Sequence, residues 1–145
     1  MRTIKFRGKS IETEQWVYGY YVHLTDYLRN RDTHRIYLGL SDSCPSVKDK
    51  YDFFPDTEEV EEDTIGQFTG LYDKNGKEIY EGDIMAIKTP ISGLFDCRQV
   101  RYNDIKGAWT LRTNHIWSFL YELNDEYIVI GNIHDNPELL KGGQE

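Results

Sequence analysis

Alternating apolar and polar positions run through most of this chain, and they predict a mainly β protein. Residues 15–24 carry aromatic and apolar side chains on both predicted faces, as expected for a strand that is covered on both sides. Shorter strands are predicted at residues 4–7 and 35–40. The polar stretch 25–34 is predicted to be a turn or exposed loop, in which residues 26–30 could form one helical turn.

Turn signals in the second half separate five further predicted strands. These strands are 65–72, 84–88, 97–102, Ala108–Arg112 and 127–133. Five short strands at this spacing fit a small barrel. The segment 114–124 fits either a helical stripe or a twisted loop. A terminal helical turn is predicted at Glu138–Lys141, with Asn136 as its N-cap and Pro137 at its first position.

The most informative stretch reads GQFTGLYDKNGKEIYEGDI, at residues 66–84. It predicts a strand, a tight turn, a return strand and a sharp corner into the next strand. Asn75 and Gly76 tolerate the positive φ that such a turn requires. Gly82 permits the corner, and Asp83 can accept hydrogen bonds from nearby main-chain amides.

This stretch resembles the signature of the YopX family of small proteins, which are encoded by phages and prophages of bacteria. Three further blocks agree: IKFRG at residues 4–8, WVYGY at 16–20 and IGNIHDNPELL at 130–140. The resemblance implies an SH3-like barrel in the C-terminal part and a phage setting, but it implies no activity. The residues taken as its structural signature are Gly66, Asp73, Asn75, Gly76, Gly82, Asp83, Gly131, Asn132 and Pro137.

The chain of 145 residues is long enough for one core or for two small β units that share one. We predict an N-terminal β subdomain with a linker at residues 1–56, packed on a C-terminal SH3-like barrel at 57–145. The linker is placed at 41–57, where Pro45 and Pro55 interrupt any periodicity.

Charge is unevenly distributed, and this distribution affects which partners are expected. The net charge is −8, with +3 over residues 1–50, −9 over 51–83 and −2 over 84–145. A protein that is acidic overall gains little from counterion release on a nucleic acid. The acidic run at 58–63 is interpreted as a solvated face, or as a charged edge that blocks strand pairing.

The sequence also predicts the compartment. No apolar run is long enough for a membrane helix, and the basic start lacks the apolar segment of a secretory signal. The two cysteines, Cys44 and Cys97, show no paired spacing, so reduced thiols in a bacterial cytoplasm are expected.

No motif indicates a cofactor or a catalytic residue. A phosphate loop or a nucleophile elbow would need glycine spacings that are absent from this sequence. Among the histidines and cysteines the closest pair is His23 and His34, and this spacing is too wide for a zinc site built from one loop. Glu81 and Asp83 are interpreted as turn acceptors, with an acid–base pair as the alternative.

The N-terminal third offers a nucleic-acid-binding alternative. Aromatic residues there alternate with basic ones, which could form a stacking platform for single strands. The basic residues nominated for this contact are Arg7, Arg29, Arg31 and Arg35. The competing interpretation is that the aromatic residues fill a β core.

We therefore expect a non-enzymatic phage accessory protein that binds a protein partner, because tyrosine, tryptophan and arginine are typical of binding surfaces. The alternatives are the nucleic-acid-binding module and an enzyme with a cleft between its subdomains near Glu81, Asp83 or His134. No metal or cofactor is expected. Short strand edges also allow self-association.

Overall fold

The computed structural model describes residues 1–38, 56–88, 93, 95–113 and 115–141. The predicted mainly β fold is confirmed. The strands are β1 (Phe6–Lys9), β2 (Trp16–Asp26), β3 (Arg31–Tyr37), β4 (Thr57–Glu59), β5 (Gly66–Tyr72), β6 (Glu78–Tyr80), β7 (Asp83–Lys88), β8 (Phe95–Asn103), β9 (Ala108–Arg112), β10 (Trp117–Phe119) and β11 (Ile128–Asn132). Two α-helices, α1 (Leu120–Leu123) and α2 (Glu138–Lys141), and a 3-10 helix (Glu62–Thr64) complete the described elements.

The chain forms two compact units, Met1–Gln67 and Phe68–Glu145, which we call unit 1 and unit 2. Strand β5 begins in unit 1 and continues into unit 2. The predicted domain boundary after residue 56 lies earlier in the chain and stays a prediction. The SH3-like closure of the C-terminal strands also stays a prediction, and most of the predicted linker lies outside the described residues.

Unit 1 is built on an antiparallel sheet in the order β4-β3-β2-β1, with the start of β5 beyond β1. The prediction of a loop over residues 25–34 was wrong at both ends, because β2 extends to Asp26 and β3 begins at Arg31. The cause lies in cross-strand contacts: Thr25 donates a hydrogen bond to Asp32 at 2.9 Å. The connecting turn is stabilised by Asp26, whose carboxylate accepts from two main-chain amides, at 3.1 Å each.

Two glycines allow the strands of unit 1 to approach closely. A Cβ on Gly8 would lie 2.8 Å from the Cβ of Val60, which is 2 % exposed. A Cβ on Gly19 would lie only 2.0 Å from the carbonyl oxygen of Tyr37. Gly8 belongs to the sequence block 4–8 and Gly19 to the block 16–20. Each block therefore contains one position at which a side chain would not fit.

Unit 2 contains an antiparallel sheet in the order β10-β9-β8-β7-β11, together with the hairpin of β5 and β6. Its core is a cluster of six buried residues: Ile79, Met85, Val100, Leu111, Leu120 and Tyr127. The described part of the ambiguous segment 114–124 contains strand β10 followed directly by helix α1. Leu120, at the start of this helix, is fully buried, which explains why the segment carried a mixed pattern.

The predicted turn in the signature is present at residues 73–76. Gly76 donates its N–H to the Asp73 carbonyl at 2.9 Å and has φ of +80°. Asn75, although able to tolerate positive φ, does not adopt it. Gly82 has φ of +87° at the corner into β7, as its place in the sequence predicts.

Candidate binding surface

The arginines nominated for nucleic-acid binding are held within unit 1. Both terminal nitrogens of Arg31 donate to the carboxylate of Glu59, at 2.5 and 3.0 Å. This hydrogen bond is the main reason that the pKa of Glu59 is lowered. Arg35 lies 3.7 Å from the same carboxylate and donates from Nε to the Thr57 hydroxyl at 2.6 Å. The acidic run thus supplies a counter-charge to the predicted basic face.

The other two nominated arginines also have intramolecular contacts. Arg29 donates to Asp26 at 2.8 Å, and this bond lowers the pKa of that carboxyl group. Arg7 is buried, and its guanidinium lies 4.7 Å from the ring centroid of Trp16. Nucleic-acid binding by this face stays a prediction. Each of its four arginines, however, already makes a contact within the fold, and that contact is reason enough for an arginine at the position.

Several signature residues direct their polar groups to the main chain. Oδ1 of Asp73 accepts from the amides of Asn75 and Lys77 at 2.8 and 2.9 Å. Its Oδ2 accepts from the amide of Val129 at 2.9 Å, so one carboxylate joins the turn to β11. Asp83 is 2 % exposed and accepts from the Tyr80 amide at 2.8 Å. These contacts match the interpretation of Asp83 as a turn acceptor.

A second set of signature residues forms the corner after β11. Oδ1 of Asn132 accepts from the amides of His134 and Asp135, at 3.0 and 2.9 Å. A Cβ on Gly131 would lie 2.4 Å from the side-chain oxygen of Asn136. The predicted capping by Asn136 needs correction, because its side chain turns back to the amide of Asn132 while its carbonyl accepts from Leu139.

The remaining predicted signature residues lie at element boundaries. Gly66 begins β5 opposite Arg7 of β1, and Pro137 immediately precedes α2. Glu81 is exposed, and His134 is half-buried, with its Nε2 3.8 Å from the point that a Cβ of Gly82 would occupy. The corner at Gly82 therefore lies beside His134.

Strand pairing places two histidines together although eleven positions separate them in the sequence. The rings of His23 and His34 are stacked, with centroids 4.8 Å apart and planes 7° from parallel. An imidazole binds a metal in the plane of its ring, so two nearly parallel stacked rings cannot share an ion in this arrangement. Within the described residues, no group of three potential metal ligands comes together. Cys97 is a half-buried free thiol, and Cys44 lies outside those residues.

A polar cluster lies next to the core of unit 2. The Tyr127 hydroxyl donates to Asp96 at 2.8 Å, and Arg98 donates to the same carboxylate oxygen at 3.0 Å. Arg98 also lies over the Tyr127 ring and donates to the Ser118 hydroxyl at 3.3 Å. This cluster joins β8, β10 and Tyr127, the residue that immediately precedes β11. Burial, followed by the hydrogen bond to Asp96, raises the pKa of Tyr127.

The raised pKa of Tyr127 predicts a loss of stability in alkali. Unfolded tyrosine loses its proton near pH 10, whereas the folded protein keeps it, so unfolding releases a proton and the free energy of unfolding falls as pH rises above about 10. In Tyr127→Phe this fall should be less steep by up to about 1.4 kcal/mol per pH unit. Urea denaturation at pH 9 and pH 11 measures it. Tyr102→Phe, at an exposed position, is the control, and equal slopes for both variants would contradict the prediction.

The outer face of the unit 2 sheet carries a surface that the sequence analysis did not identify. We call it the basic–aromatic surface, and it consists of Arg101, Arg112, Trp117, Phe119 and Tyr121. The register pairs Arg112 with Trp117, and Thr110 with both Arg101 and Phe119, so the two arginines, Trp117 and Phe119 share one face of the sheet. Tyr121, in α1, stacks on Phe119. On this face, β8, β9 and β10 have no acidic side chain at any position.

The aromatic part of this surface is exposed and internally packed. Trp117 is 44 % and Tyr121 61 % exposed. Phe119 lies between them, 5.5 Å from the Trp117 ring in an edge-to-face arrangement and 5.4 Å from the Tyr121 ring in a stacked one. Three contiguous aromatic residues at a sheet edge make an apolar patch of the kind that marks interaction sites.

The basic part of this surface has no counter-charge. Arg101 and Arg112 are exposed, and neither forms an ion pair with a residue that the structure describes. Sequence reasoning missed this site because segment 114–124 has both strand and helix features. The spacing of Trp117 and Phe119 by two positions was the signal that would have identified β10.

The described part of the chain contains no helix that is long and apolar enough to cross a membrane. The family description YopX protein matches residues 5–141. The chain belongs to the YopX family. Among curated proteins, none matches it.

Two solved structures resemble this YopX-family protein over nearly its whole length. Protein EF1440 from Enterococcus faecalis is 27 % identical, with a TM-score of 0.57, and the match covers 97 % of this chain and 99 % of that one. YopX from Bacillus subtilis is 18 % identical, with a TM-score of 0.51 and coverage of 98 % of both chains. The second likeness concerns the fold alone.

Proposed function

We propose that this YopX-family protein is a non-enzymatic module that binds a partner protein through the basic–aromatic surface of unit 2. The observation that carries the proposal is the position of Trp117 and Phe119 on a terminal strand, beside arginines without a described counter-charge. Tryptophan, tyrosine and arginine are the residues that most often dominate binding energy at protein interfaces.

The contrast between the two units supports this choice of surface. In unit 1 the arginines nominated for ligand binding already contact Glu59, Asp26 or Trp16. In unit 2, Arg101 and Arg112 have no such partners among the described residues. A cation without an internal counter-ion can pair with an acidic partner without first losing an existing interaction.

A protein partner is favoured over a nucleic acid for two reasons. The chain carries a net charge of −8, which opposes approach to a polyanion. In addition, the three aromatic rings pack on one another, so their faces are partly covered and less available for stacking with bases. The family resemblance supports a phage or prophage accessory protein that acts in the bacterial cytoplasm, and this setting is part of the proposal.

The test is a pull-down from bacterial lysate with nuclease, comparing the wild type with Trp117→Ala and Arg112→Glu. We expect the same proteins to be captured with and without nuclease. The captured amount should fall by about tenfold or more in both variants, as for hot-spot residues. Lys106→Glu changes the net charge by the same amount as Arg112→Glu, in an exposed turn of the same unit, and this control variant should still capture the proteins. Ile105→Ala, which removes a 93 % exposed apolar side chain, is the control for Trp117→Ala.

Two outcomes would contradict the proposal. Captured species that disappear with nuclease would indicate a nucleic-acid partner. Proteins captured equally by the wild type and both variants would place binding on another surface. Far-ultraviolet circular dichroism and urea denaturation of each variant would show that its fold is retained, since all four substitutions are at exposed positions.

A further inference from the structure

The hairpin of β9 and β10 determines which main-chain groups lie along the open edge of the unit 2 sheet. At its loop end the Thr113 amide donates to the Ile116 carbonyl at 2.8 Å, so these two residues form a hydrogen-bonded pair. Antiparallel strands alternate between hydrogen-bonded and non-hydrogen-bonded pairs. The next pair, Arg112 and Trp117, is therefore non-hydrogen-bonded, and so is Thr110 with Phe119.

In a non-hydrogen-bonded pair the N–H and C=O groups point away from the partner strand. The N–H and C=O of Trp117, and the N–H of Phe119, consequently point away from β9. The carbonyl of Phe119 is different, because Phe119 is the N-cap of α1. The C=O of an N-cap residue points into its helix, where it accepts the first intrahelical bond. Strand β10 ends the sheet order, and no other described strand pairs with this edge.

We propose that the edge of β10 receives an extended acidic segment of the partner protein as an additional antiparallel or parallel strand. This inference rests on the proposed function and adds the conformation and charge of the bound segment. The three outward main-chain groups of β10 would bond to the segment, which is how a peptide extends an open sheet edge.

The side chains of β10 determine what the segment presents. A residue opposite Trp117 would place its side chain on the basic–aromatic surface, about 5 Å from β10 and about 10 Å from β9. Arg112 lies beside Trp117 in the register, and its long side chain can meet a glutamate or aspartate of the segment across that distance. The segment residues on either side of that one would place their side chains on the opposite face of the sheet, next to Ser118. The Ser118 hydroxyl already accepts a hydrogen bond from Arg98.

The charge of this face favours an acidic segment. Arg112 and Arg101 lie on it, and none of the residues that β8, β9 and β10 place on this face is acidic. Arg101 is one strand farther from the edge than Arg112, so it contributes to the local potential rather than to a direct pair. A basic segment would be repelled by both arginines.

The experiment is a selection from a displayed library of random nine-residue peptides on the full chain. The enriched peptides should be acidic and rich in strand-forming residues, and their Kd should rise by about tenfold or more with Arg112→Glu but not with Lys106→Glu. Arg112→Lys retains the positive charge and should retain most of the affinity. On binding, the amides of Trp117 and Phe119 should exchange more slowly with solvent.

Methylation of the peptide backbone tests strand addition directly. Two versions of the best peptide carry N-methyl groups at alternate positions, one set on odd and the other on even residues. Because alternate amides of a strand point to opposite edges, only one version should lose affinity, by about tenfold or more. Equal affinities of both versions, with binding still dependent on Trp117, would overturn strand addition while leaving the proposed function standing.

Other possible occupants of the β10 edge, a second copy of this chain or a single-stranded nucleic acid, would give different results. If the free protein forms dimers in light scattering that Trp117→Ala abolishes, the edge pairs with a second copy, and the inference is overturned. Tight binding of a twelve-residue thymidine oligonucleotide that Trp117→Ala removes would overturn it in favour of single-stranded nucleic acid. A selection that yields no enrichment, or enrichment unaffected by Trp117→Ala, would overturn both the inference and the proposed function.

Discussion

Gly19→Ala is expected to lower the free energy of unfolding by about 3 kcal/mol, at the upper end of the range for overpacked sites. The added Cβ would lie 2.0 Å from the carbonyl oxygen of Tyr37 and 3.2 Å from a methyl group of Ile36. The first obstacle is main chain, so a change of rotamer cannot relieve the contact. Strands β2 and β3 would have to separate at Tyr20 and Tyr37, which are paired in register.

Urea denaturation of Gly19→Ala and Gly70→Ala separates the steric effect from the conformational one. Gly70 has φ of +83°, and no atom lies within 4 Å of the point that its Cβ would occupy. Alanine there encounters only the cost of a left-handed backbone, about 1–2 kcal/mol. If Gly19→Ala destabilised the protein no more than Gly70→Ala, the close approach of β2 and β3 would be wrong.

Asp73→Ala is the second substitution with a large expected effect, a loss of about 3–5 kcal/mol in the free energy of unfolding. The carboxylate of Asp73 accepts from three main-chain amides, and the residue is 6 % exposed. Removing it leaves these donors without their acceptor, at about 1–3 kcal/mol for each one that water cannot reach. Two of the donors are in the turn at the tip of the β5–β6 hairpin, so water recovers part of the loss there.

The amide variant refines this prediction. Asp73→Asn retains one acceptor oxygen but places an NH₂ group against one of the donors, and we expect a smaller loss of about 1–2 kcal/mol. Asp104→Ala removes a carboxylate from an exposed turn of unit 2 and is the control, with a change within about 0.5 kcal/mol. A loss in Asp73→Ala no larger than that in the control would contradict the three-bond arrangement.

These two predictions concern blocks of sequence that also carry the family resemblance. Gly19 lies in the block 16–20 and Asp73 in the stretch 66–84. The geometry gives each a physical reason: one permits the contact of two strands, and the other fixes a turn against β11. The resemblance therefore concerns residues that build the fold, whereas the basic–aromatic surface uses residues outside those blocks.

Much of the strand content could be predicted because it depends on local patterns. Strand Ala108–Arg112 and helix Glu138–Lys141 were predicted with the bounds that the structure has. The turn after Asp73 was predicted because Asn75 and Gly76 tolerate positive φ, and Gly76 adopts it. Such features need only neighbours in the chain, and the sequence displays those neighbours directly.

The errors arose where contacts between distant residues outweigh the local pattern. Residues 25–34 look like a loop because they are polar, but cross-strand pairs such as Thr25 with Asp32 extend β2 and β3 through them. Glu59 looks like part of a solvated acidic run, yet it lies opposite Arg35 and accepts from Arg31. Neither pairing can be deduced without knowing the register of the strands.

The amino-acid sequence by itself determined the β character of this protein, its signature turn and the family to which it belongs, because period-two patterning and turn chemistry act over a few residues. Tertiary structure alone decided which arginines are neutralised and which remain available. Arg31 lies in the nominated basic region and Arg112 does not, but only the pairing of β3 with β4 shows that the first faces Glu59. Availability of a charge depends on what lies within a few ångströms of it, and that distance is set by the fold.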